Sequence, residues 1–311
     1  MFIPDEIFYE ENIKNYELGR ELLNKYKNTK LIKIDNHNNI KEMREQPNSE
    51  FVNMKKHLII GVRKTHKFVP NNKTSDFLVP YTSSGCMAMC MYCYLVCNYN
   101  KCSYLRLFVN REEMLNKIIK TANQSEKEYT FEIGSNSDLI LENTIPTKFD
   151  MVDKILKLDH NDRIIIRMSL NPEEIINKVE FGTSRLNDRI NAIIKLKNAG
   201  YKVGILIAPI ILVDNWRELY GTLIKELSAR FDNNIKKGLF FELIFMTYSY
   251  VHRMINTEAF PNAIDLYSPD TMTGRGRGKY TYKKDIRAEA EAFLIEQMKK
   301  YFPNSEIKYI C

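Results

Sequence analysis

The chain has 311 residues and a formal net charge of +7 at neutral pH, which is long enough for one large α/β domain or two small ones. Its apolar content of 44% is ample for a packed core, and no apolar run approaches the ~18 residues that a membrane helix needs. The start of the chain, Met1 to Glu6, is acidic where a signal peptide would be basic, so we expect a cytoplasmic protein whose six cysteines serve metal binding or catalysis rather than disulfides.

The first part of the chain predicts a small α/β arrangement. A helix is expected over residues 11–27 and a strand over residues 31–34. The polar residues 36–53 indicate a linker, and a second apolar strand follows over residues 58–62.

From residue 77 onwards strands and helices alternate, which is typical of βαβ units and a parallel sheet. The predicted strands cover residues 129–133, 163–169, 201–208, 239–246 and 306–310. The predicted helices cover residues 110–122, 150–158, 186–199, 214–227 and 285–301. Asn110 with Glu113 is a capping-box pattern for the first of these helices, and Asp214 is the predicted cap of the fourth.

Three cysteines with C-x3-C-x2-C spacing follow the apolar run over residues 77–81. They are Cys86, Cys90 and Cys93. Thiolates at this spacing on one loop can ligate three irons of a [4Fe–4S] cluster and leave the fourth iron without a protein ligand. Zinc is the alternative, because the nearby Cys97 and Cys102 could complete four thiolates. Structural zinc sites usually separate their two ligand pairs by a dozen or more residues, and zinc leaves the aromatic Tyr92 unexplained, so the pattern favours an iron–sulfur cluster.

This loop resembles the cluster loop of radical S-adenosylmethionine (SAM) enzymes, in which an aromatic residue before the last cysteine packs near the adenine of SAM. The likeness continues over nearly the whole chain, where a series of segments resembles spore photoproduct lyases in the same order. The segments are Gly61-Val62-Arg63-Lys64, Pro80 to Tyr94, Tyr104 to Asn110, Phe131-Glu132, Ser137-Asp138, Gly182-Thr183-Ser184, Ala208-Pro209-Ile210, Phe241-Glu242-Leu243-Ile244 and Gly278-Lys279-Tyr280.

The resemblance implies a partial (β/α)6 radical SAM barrel with its cofactors at the carboxyl ends of the strands. It also implies three regions. These are an N-terminal α/β extension over residues 1–75, the barrel over residues 76–250, and a C-terminal hairpin with a closing helix over residues 251–311.

The resemblance further implies the site residues. Cys86, Cys90 and Cys93 would hold the cluster. The residues expected to contact cofactor or substrate are Tyr92, Ser137, Lys148, Ser169 and Asn171. Tyr92 and Tyr94 stand where family tyrosines help to return a hydrogen atom and regenerate SAM. The alternative for each of these residues is an ordinary turn, surface or packing position.

The sequence departs from the family at Ser135, where relatives carry the cysteine that supplies a hydrogen atom to the substrate radical. A serine hydroxyl cannot replace that thiol, because its O–H bond is far stronger than S–H. We therefore expect Cys97, four residues after Cys93, to be the donor, with Cys102 as the second candidate. The alternatives are that both thiols are inert small hydrophobes and that repair is impaired.

A second departure lies between Asp138 and Thr147. This stretch is shorter than in the family by roughly twenty residues, about one helix and one strand at usual element lengths. The barrel would then lack one strand, or residues 143–148 would replace it.

A glycine-rich cationic stretch over residues 273–284 indicates a hairpin that tracks DNA phosphates. Its Arg275 resembles a family arginine, and Arg277, Lys279 and Tyr280 are further expected contacts. The aromatic residue that normally follows that arginine is missing, so we expect either that Tyr280 or Tyr282 fills the space left by an extruded base or that strand separation is weaker here. A flexible solvated loop is the alternative.

The resemblance thus implies a DNA repair lyase that reverses spore photoproduct, 5-thyminyl-5,6-dihydrothymine, to two thymines through a 5′-deoxyadenosyl radical. The implied cofactors are a [4Fe–4S] cluster and SAM. The implied partners are DNA with the thymine lesion and an electron donor such as flavodoxin or ferredoxin, and we expect a monomer in the cytoplasm of a spore or germinating cell. The alternatives are a related radical SAM enzyme with another substrate, a DNA-binding homologue with a structural cluster, and a zinc-binding module.

Overall fold

The structure, a computed structural model, describes residues 3–71, 73–79, 82–98, 104–137 and 156–311, with the backbone alone at residues 97 and 98. The chain divides into two units. The first comprises residues 1–89 and 94–152, and the second comprises residues 90–93 and 153–311. Two cysteines of the motif, Cys90 and Cys93, therefore belong to the second unit.

The main sheet of the first unit has five strands in the order β2-β1-β3-β8-β6. The strands are β1 (Glu6–Glu10), β2 (Lys30–Ile34), β3 (His57–Gly61), β6 (Ser83–Ser84) and β8 (Arg106–Phe108). All neighbours are parallel except β6 and β8. Apolar side chains from β1, β3 and β8 form the core of this unit.

The remaining elements of the first unit are short. A small sheet contains β4 (Val69–Pro70), β5 (Phe77–Leu78) and β9 (Phe131–Glu132), and the motif itself contributes β7 (Met89–Cys90). The helices are α1 (Glu17–Lys25), α2 (Lys41–Arg44), α3 (Phe51–Met54), α4 (Leu95–Asn98) and α5 (Arg111–Asn123), with 3-10 helices at Glu11–Asn15 and Asn48–Glu50.

Three local predictions for the first unit are wrong. The helix expected over residues 11–27 is interrupted at Tyr16, whose backbone is extended. Residues 36–53 are not a solvated linker, because Ile40, Met43 and Phe51 are buried. The side chain of Asn110 does not cap α5, since its amide oxygen accepts from the Arg63 N–H at 2.9 Å.

The second unit is built on four parallel strands in the order β10-β12-β13-β17, as the alternating pattern predicted. They are β10 (Ile165–Leu170), β12 (Lys202–Ile210), β13 (Phe240–Phe245) and β17 (Glu306–Ile310). The central β12 is apolar over most of its length because both of its faces are covered. It requires Gly204, where a Cβ would lie 2.3 Å from the Phe240 ring.

Helices and short strands surround this sheet. The helices are α6 (Glu173–Val179), α7 (Leu186–Asn198), α8 (Trp216–Arg230), α9 (Asn233–Lys236), α10 (Tyr250–Ala259) and α11 (Lys284–Tyr301). The short strands are β11 (Glu180–Phe181), β14 (Tyr248–Ser249), β15 (Met272–Gly276) and β16 (Lys279–Tyr282). The predictions of α7, α8 and α11 are confirmed, whereas α6 and α10 were missed. Asn215, not Asp214, precedes α8, and no side chain caps that helix.

The mixed α/β class is therefore confirmed. The partial (β/α)6 barrel and the division at residues 75 and 250 stay predictions, because each of the two units has its own sheets. Most of the helix expected over residues 150–158 lies outside the described residues. In the part of the chain that the structure describes, no helix has both the length and the apolar character needed to cross a membrane.

Candidate active site and nucleic-acid surface

The cysteine segment of the second unit is held through its backbone. The Asn256 amide of α10 donates to the Met91 carbonyl at 2.7 Å, and the Met91 N–H donates to the Val179 carbonyl at 2.9 Å. Two residues after Met91, the Cys93 carbonyl oxygen lies 3.0 Å from His252 Nε2. These hydrogen bonds therefore hold the backbone of residues 91–93 in place without a bound metal.

His252 is held in one tautomer by its neighbours. Its Nδ1 lies 2.8 Å from the Ser249 hydroxyl, and its ring stacks on Tyr248 with centroids 5.3 Å apart. Burial lowers the pKa of His252 below its ordinary value. The neutral ring then donates from Nε2 to the Cys93 carbonyl and accepts at Nδ1 from Ser249.

Tyr92 lies within a buried polar network. Its hydroxyl donates to Glu180 Oε1 at 2.8 Å, and the Asn171 amide donates to the same oxygen at 2.7 Å. Arg189 binds the other oxygen, Oε2, at 2.6 Å. Burial raises the pKa of Tyr92 well above its ordinary value, and the neighbouring Cys90 and Glu180 add to the shift. Tyr92 therefore remains a neutral donor.

The same arginine joins β10, β11 and the loop between β11 and α7. Arg189 also donates to the Thr183 hydroxyl at 2.8 Å, to the Ser184 carbonyl at 2.9 Å and to the Ser169 carbonyl at 3.2 Å. Glu180, Thr183 and Ser184 therefore share Arg189 as their partner. The predicted contact residues Ser169 and Asn171 thus both touch this network, Ser169 through its backbone.

Cys86 lies in the first unit. The Lys55 ammonium donates to the Cys86 carbonyl at 2.8 Å, and the Ala88 N–H donates to Cys86 Sγ at 3.3 Å. Lys55 is only 3% exposed. The backbone carbonyl and the sulfur of Cys86 are therefore both hydrogen-bonded within the first unit.

Tyr94 contacts the segment that contains the departure from the family. Its hydroxyl forms a hydrogen bond with the Ser135 carbonyl and lies 3.0 Å from the Asn136 amide oxygen. Ser137 receives a hydrogen bond from the Ser83 hydroxyl at 2.6 Å. Tyr94 is 50% exposed, so this contact is open to water.

Several predicted residues cannot be placed. Lys148 and Cys102 lie outside the described residues, as does the side chain of Cys97, whose backbone belongs to α4. Among the described side chains no three His, Cys, Asp or Glu residues surround a single point as the ligands of one metal ion would. A cluster does not require that, because each thiolate binds a separate iron.

The cationic hairpin is confirmed as β15 and β16. Arg275, Arg277 and Lys279 are exposed at its turn. The expectation that Tyr282 fills the space of an extruded base is wrong, because Tyr282 is 4% exposed and its hydroxyl accepts from the Leu212 N–H. Tyr280 is partly buried, with its ring centroid 4.6 Å from that of Tyr267.

Three residues that contact the predicted site were not singled out in the sequence. They are Glu180, Arg189 and His252, and His252 stands in a helix that was not predicted. One signal was available, since Arg189 lies next to Ile190 in the apolar stripe of α7, where an arginine needs a buried partner.

Comparison with known sequences gives a consistent result over the full length. The sequence model of the spore photoproduct lyase family matches residues 2–146 and 141–311. The two matches overlap at residues 141–146, inside the stretch between Asp138 and Thr147 that we expect to be shorter than in the family. Spore photoproduct lyase from Bacillus subtilis (strain 168) is 31% identical over 337 aligned residues, covering 99% of this chain and 98% of that protein. Spore photoproduct lyase from Clostridium acetobutylicum is 29% identical over 332 residues, with 98% of both proteins covered.

Solved structures agree. A mutant spore photoproduct lyase with bound AdoMet and dinucleoside spore photoproduct superposes with a TM-score of 0.89 at 28% identity, covering 100% of this chain and 99% of that one. A second spore photoproduct lyase, complexed with dinucleoside spore photoproduct, gives a TM-score of 0.87 at 27% identity with the same coverage. With the sequence likeness extending over both units, this chain belongs to the spore photoproduct lyase family.

Proposed function

We propose that this chain is a radical SAM lyase that reverses spore photoproduct in DNA to two thymines. The observation that carries the proposal is the C-x3-C-x2-C motif in a chain that matches the family from end to end. The solved relatives with bound AdoMet and dinucleoside spore photoproduct support both the cofactor and the lesion.

The residues present fit a [4Fe–4S] cluster held by Cys86, Cys90 and Cys93. All three are reduced and partly exposed cysteines, and thiolates are the ligands that such clusters use. Within the first unit, the buried Lys55 ammonium donates to the Cys86 carbonyl and so fixes the backbone of that ligand. When bound, the cluster and SAM supply the one-electron chemistry that generates a carbon radical.

The chain's own residues orient this site. Glu180, fixed by Arg189, holds the Tyr92 hydroxyl, so the ring that the family places near the adenine of SAM has one orientation. Asn171 and Ser169 are proposed to act at the same strand end. Ser137 and Lys148 are proposed as further contacts of the cofactor.

Hydrogen return is the step at which this chain must differ from its relatives. Ser135 cannot donate a hydrogen atom, so Cys97, in the helix that follows the motif, is our proposed donor. The thiol would give its hydrogen atom to the thymine radical and become a thiyl radical. Tyr94 and Tyr92 would then relay a hydrogen atom from 5′-deoxyadenosine to that thiyl radical, which regenerates the thiol. Rejoining the deoxyadenosyl group to methionine would return one electron to the cluster and restore SAM.

Two variants test this assignment. Cys97→Ala should still cleave SAM but divert the lesion into side products, and clean repair by that variant would contradict the assignment. Ser135→Cys returns the family thiol and should rescue repair in the Cys97→Ala background. Because serine and cysteine differ little in size, the double variant should fold normally.

The finer architecture belongs to the same proposal. A partial (β/α)6 barrel, one strand short at the stretch before Thr147, would follow the extension over residues 1–75 and precede the DNA-contacting region over residues 251–311. The proposed partners are lesion-containing DNA, bound by Arg275, Arg277, Lys279 and Tyr280, and a flavodoxin or ferredoxin. The proposed form is a cytoplasmic monomer.

The test is anaerobic. The reconstituted protein receives SAM, a reductant and DNA with spore photoproduct, and recovered thymine and 5′-deoxyadenosine are followed together by chromatography. Repair with little accumulated 5′-deoxyadenosine is the expected result. Cys90→Ala should lose both iron and repair, whereas the matched control Cys311→Ala, which removes a thiol outside the motif, should keep both.

A related radical SAM enzyme with another substrate is the second candidate, favoured by Ser135 and the shortened stretch. It predicts SAM cleavage without repair. A DNA-binding homologue with a structural cluster would show neither, and a zinc protein would be colourless where a cluster protein is brown.

A further inference from the structure

An exposed aromatic residue stands beside the turn of the cationic hairpin. Tyr250, the first residue of α10, has 59% of its surface exposed. Its N–H donates to the Gly278 carbonyl in the turn at 2.9 Å. The preceding strand residue, Ser249, pairs with Lys279, so the position of Tyr250 against the turn is fixed by backbone bonds.

The turn presents its cations at a conformational cost. Arg277 has a φ of 51° and Gly278 a φ of 68°, the left-handed pair that a two-residue hairpin turn needs. Asparagine or glycine adopts this conformation more readily than arginine does. The register of the hairpin shifts between Gly274 and Gly276, which leaves Arg275 as an extra residue on its strand. Arg277 holds a conformation that asparagine or glycine would adopt at a lower free-energy cost, and this points to a binding role for its side chain.

The other aromatic residues of this hairpin are committed to packing. Tyr282 is buried, and Tyr280 lies against Tyr267. Tyr250 therefore offers the exposed ring that the hairpin strands themselves do not.

Exposed cations beside an exposed aromatic ring match the two recognition elements of a nucleic acid strand, phosphates and base faces. We propose that Tyr250 stacks on a DNA base while Arg275, Arg277 and Lys279 bind the neighbouring phosphates. This role rests on the proposed function, and it gives the extruded lesion a protein group that occupies the space it leaves. The turn lies close to this tyrosine, since a Cβ at Gly278 would be in ordinary contact with the Cβ of Tyr250 at 3.7 Å.

The experiment compares DNA affinities by fluorescence anisotropy, using a labelled duplex with spore photoproduct at several salt concentrations. Tyr250→Ala should weaken binding roughly 5- to 150-fold, the range for loss of one base–aromatic stack. Tyr250→Phe should bind as tightly as the wild type, because it keeps the ring. Ile119→Ala is the matched control, since Ile119 is similarly exposed, at 56%, on α5 of the first unit.

Charge and stacking are separated in two ways. Tyr250→Ala should leave the salt slope unchanged, whereas Arg275→Ala with Arg277→Ala should flatten it by roughly 0.9 for each lost phosphate contact. Heparin, a polyanion without bases, should bind Tyr250→Ala as well as it binds the wild type.

The outcomes that overturn the proposal are distinct. Wild-type affinity in Tyr250→Ala would remove Tyr250 from the DNA surface and leave the proposed function intact. Equal weakening in Tyr250→Phe and Tyr250→Ala would assign the effect to the hydroxyl group and contradict stacking. A wild-type protein that does not bind the lesion DNA at all would overturn both this inference and the proposed function.

Discussion

The two tyrosines of the cysteine loop have different surroundings. Tyr92 donates to a buried carboxylate that is paired with the buried Arg189. Tyr94 binds the backbone of Ser135 and is half exposed. The first arrangement cannot change one member without leaving another buried and unpaired, whereas water can replace a partner in the second.

This difference shows where the family's chemistry can vary. In the proposed function the residues around Tyr92 orient the cofactor, and their shared hydrogen bonds predict that they tolerate little change. The segment around Tyr94 accommodates serine at position 135, because the contact there uses a carbonyl oxygen that every residue has. The proposed change of hydrogen donor would therefore leave the hydrogen bonds around Tyr92 intact.

The largest expected effect breaks the buried network. Glu180→Ala leaves the Arg189 guanidinium, whose side chain is 9% exposed, without its carboxylate, and should lower the free energy of unfolding by about 3–5 kcal/mol. Chemical denaturation measures this. Glu174→Ala is the control, since it removes a carboxylate from a partly exposed i,i+4 pair and should cost about 0.5 kcal/mol or less. Equal losses in the two variants would refute the comparison.

A smaller effect is expected at His252, which donates to the Cys93 carbonyl. His252→Ala leaves the Cys93 carbonyl without its donor and should cost about 1–3 kcal/mol. It should also lower the iron content after reconstitution, because the ligand loop loses a fixed point. His252→Gln can still donate to a carbonyl and should recover part of both losses. If His252→Ala retained full iron content, the histidine would have no role in positioning the loop.

Glu10 is a buried carboxylate in the first unit, and its effect on stability should change only at acid pH. Burial tends to raise the pKa of Glu10, but hydrogen bonds from His37 and the Val62 N–H outweigh it and leave the pKa below 4.5. Ionised Glu10 therefore stabilises the folded state above pH 4.5, and this contribution is lost as the pH falls through the lower pKa that Glu10 has in the folded protein. Thermal unfolding of Glu10→Gln should depend less on pH below 4.5 than that of the wild type. If the variant and the wild type showed the same pH dependence, Glu10 would not be the group responsible for the loss of stability in acid.

The smallest expected effect lies at the exposed tyrosine. Tyr94→Phe removes a hydrogen bond that water can replace, so it should cost about 0.5 kcal/mol. Denaturation of Tyr94→Phe beside Glu180→Ala measures the comparison directly. A loss above 2 kcal/mol would show that Tyr94 supports the fold as firmly as the buried network does.

Much of the second unit could be predicted from the sequence, because long apolar runs such as that of β12 and the stripe of α7 carry a strong period. The helix α10 escaped prediction because its buried face is partly polar. His252 and Asn256 point inward to bond the cysteine loop, so the usual contrast between apolar and polar faces is weak there.

The site was predictable only in part. The spacing of the cysteines was sufficient to propose the cluster ligands, since it is a local property of the chain. The Glu180–Arg189 pair joins residues whose ionic partners cannot be identified from nine positions of separation alone. Exposure also could not be read from residue type, and for this reason Tyr282 was expected at the surface while Tyr250 was overlooked.

The short helix α10 contacts both the hairpin that is proposed to bind DNA and the cysteine segment that is proposed to bind the cluster. Tyr250 is bonded to the hairpin turn, and two residues later His252 is bonded to Cys93. If DNA on the hairpin changes the affinity of the cysteine loop for iron, then iron must change the affinity for DNA by the same factor, because the two binding free energies share one thermodynamic cycle. The metal-loaded protein and the apoprotein would then differ in how tightly they search DNA for damage.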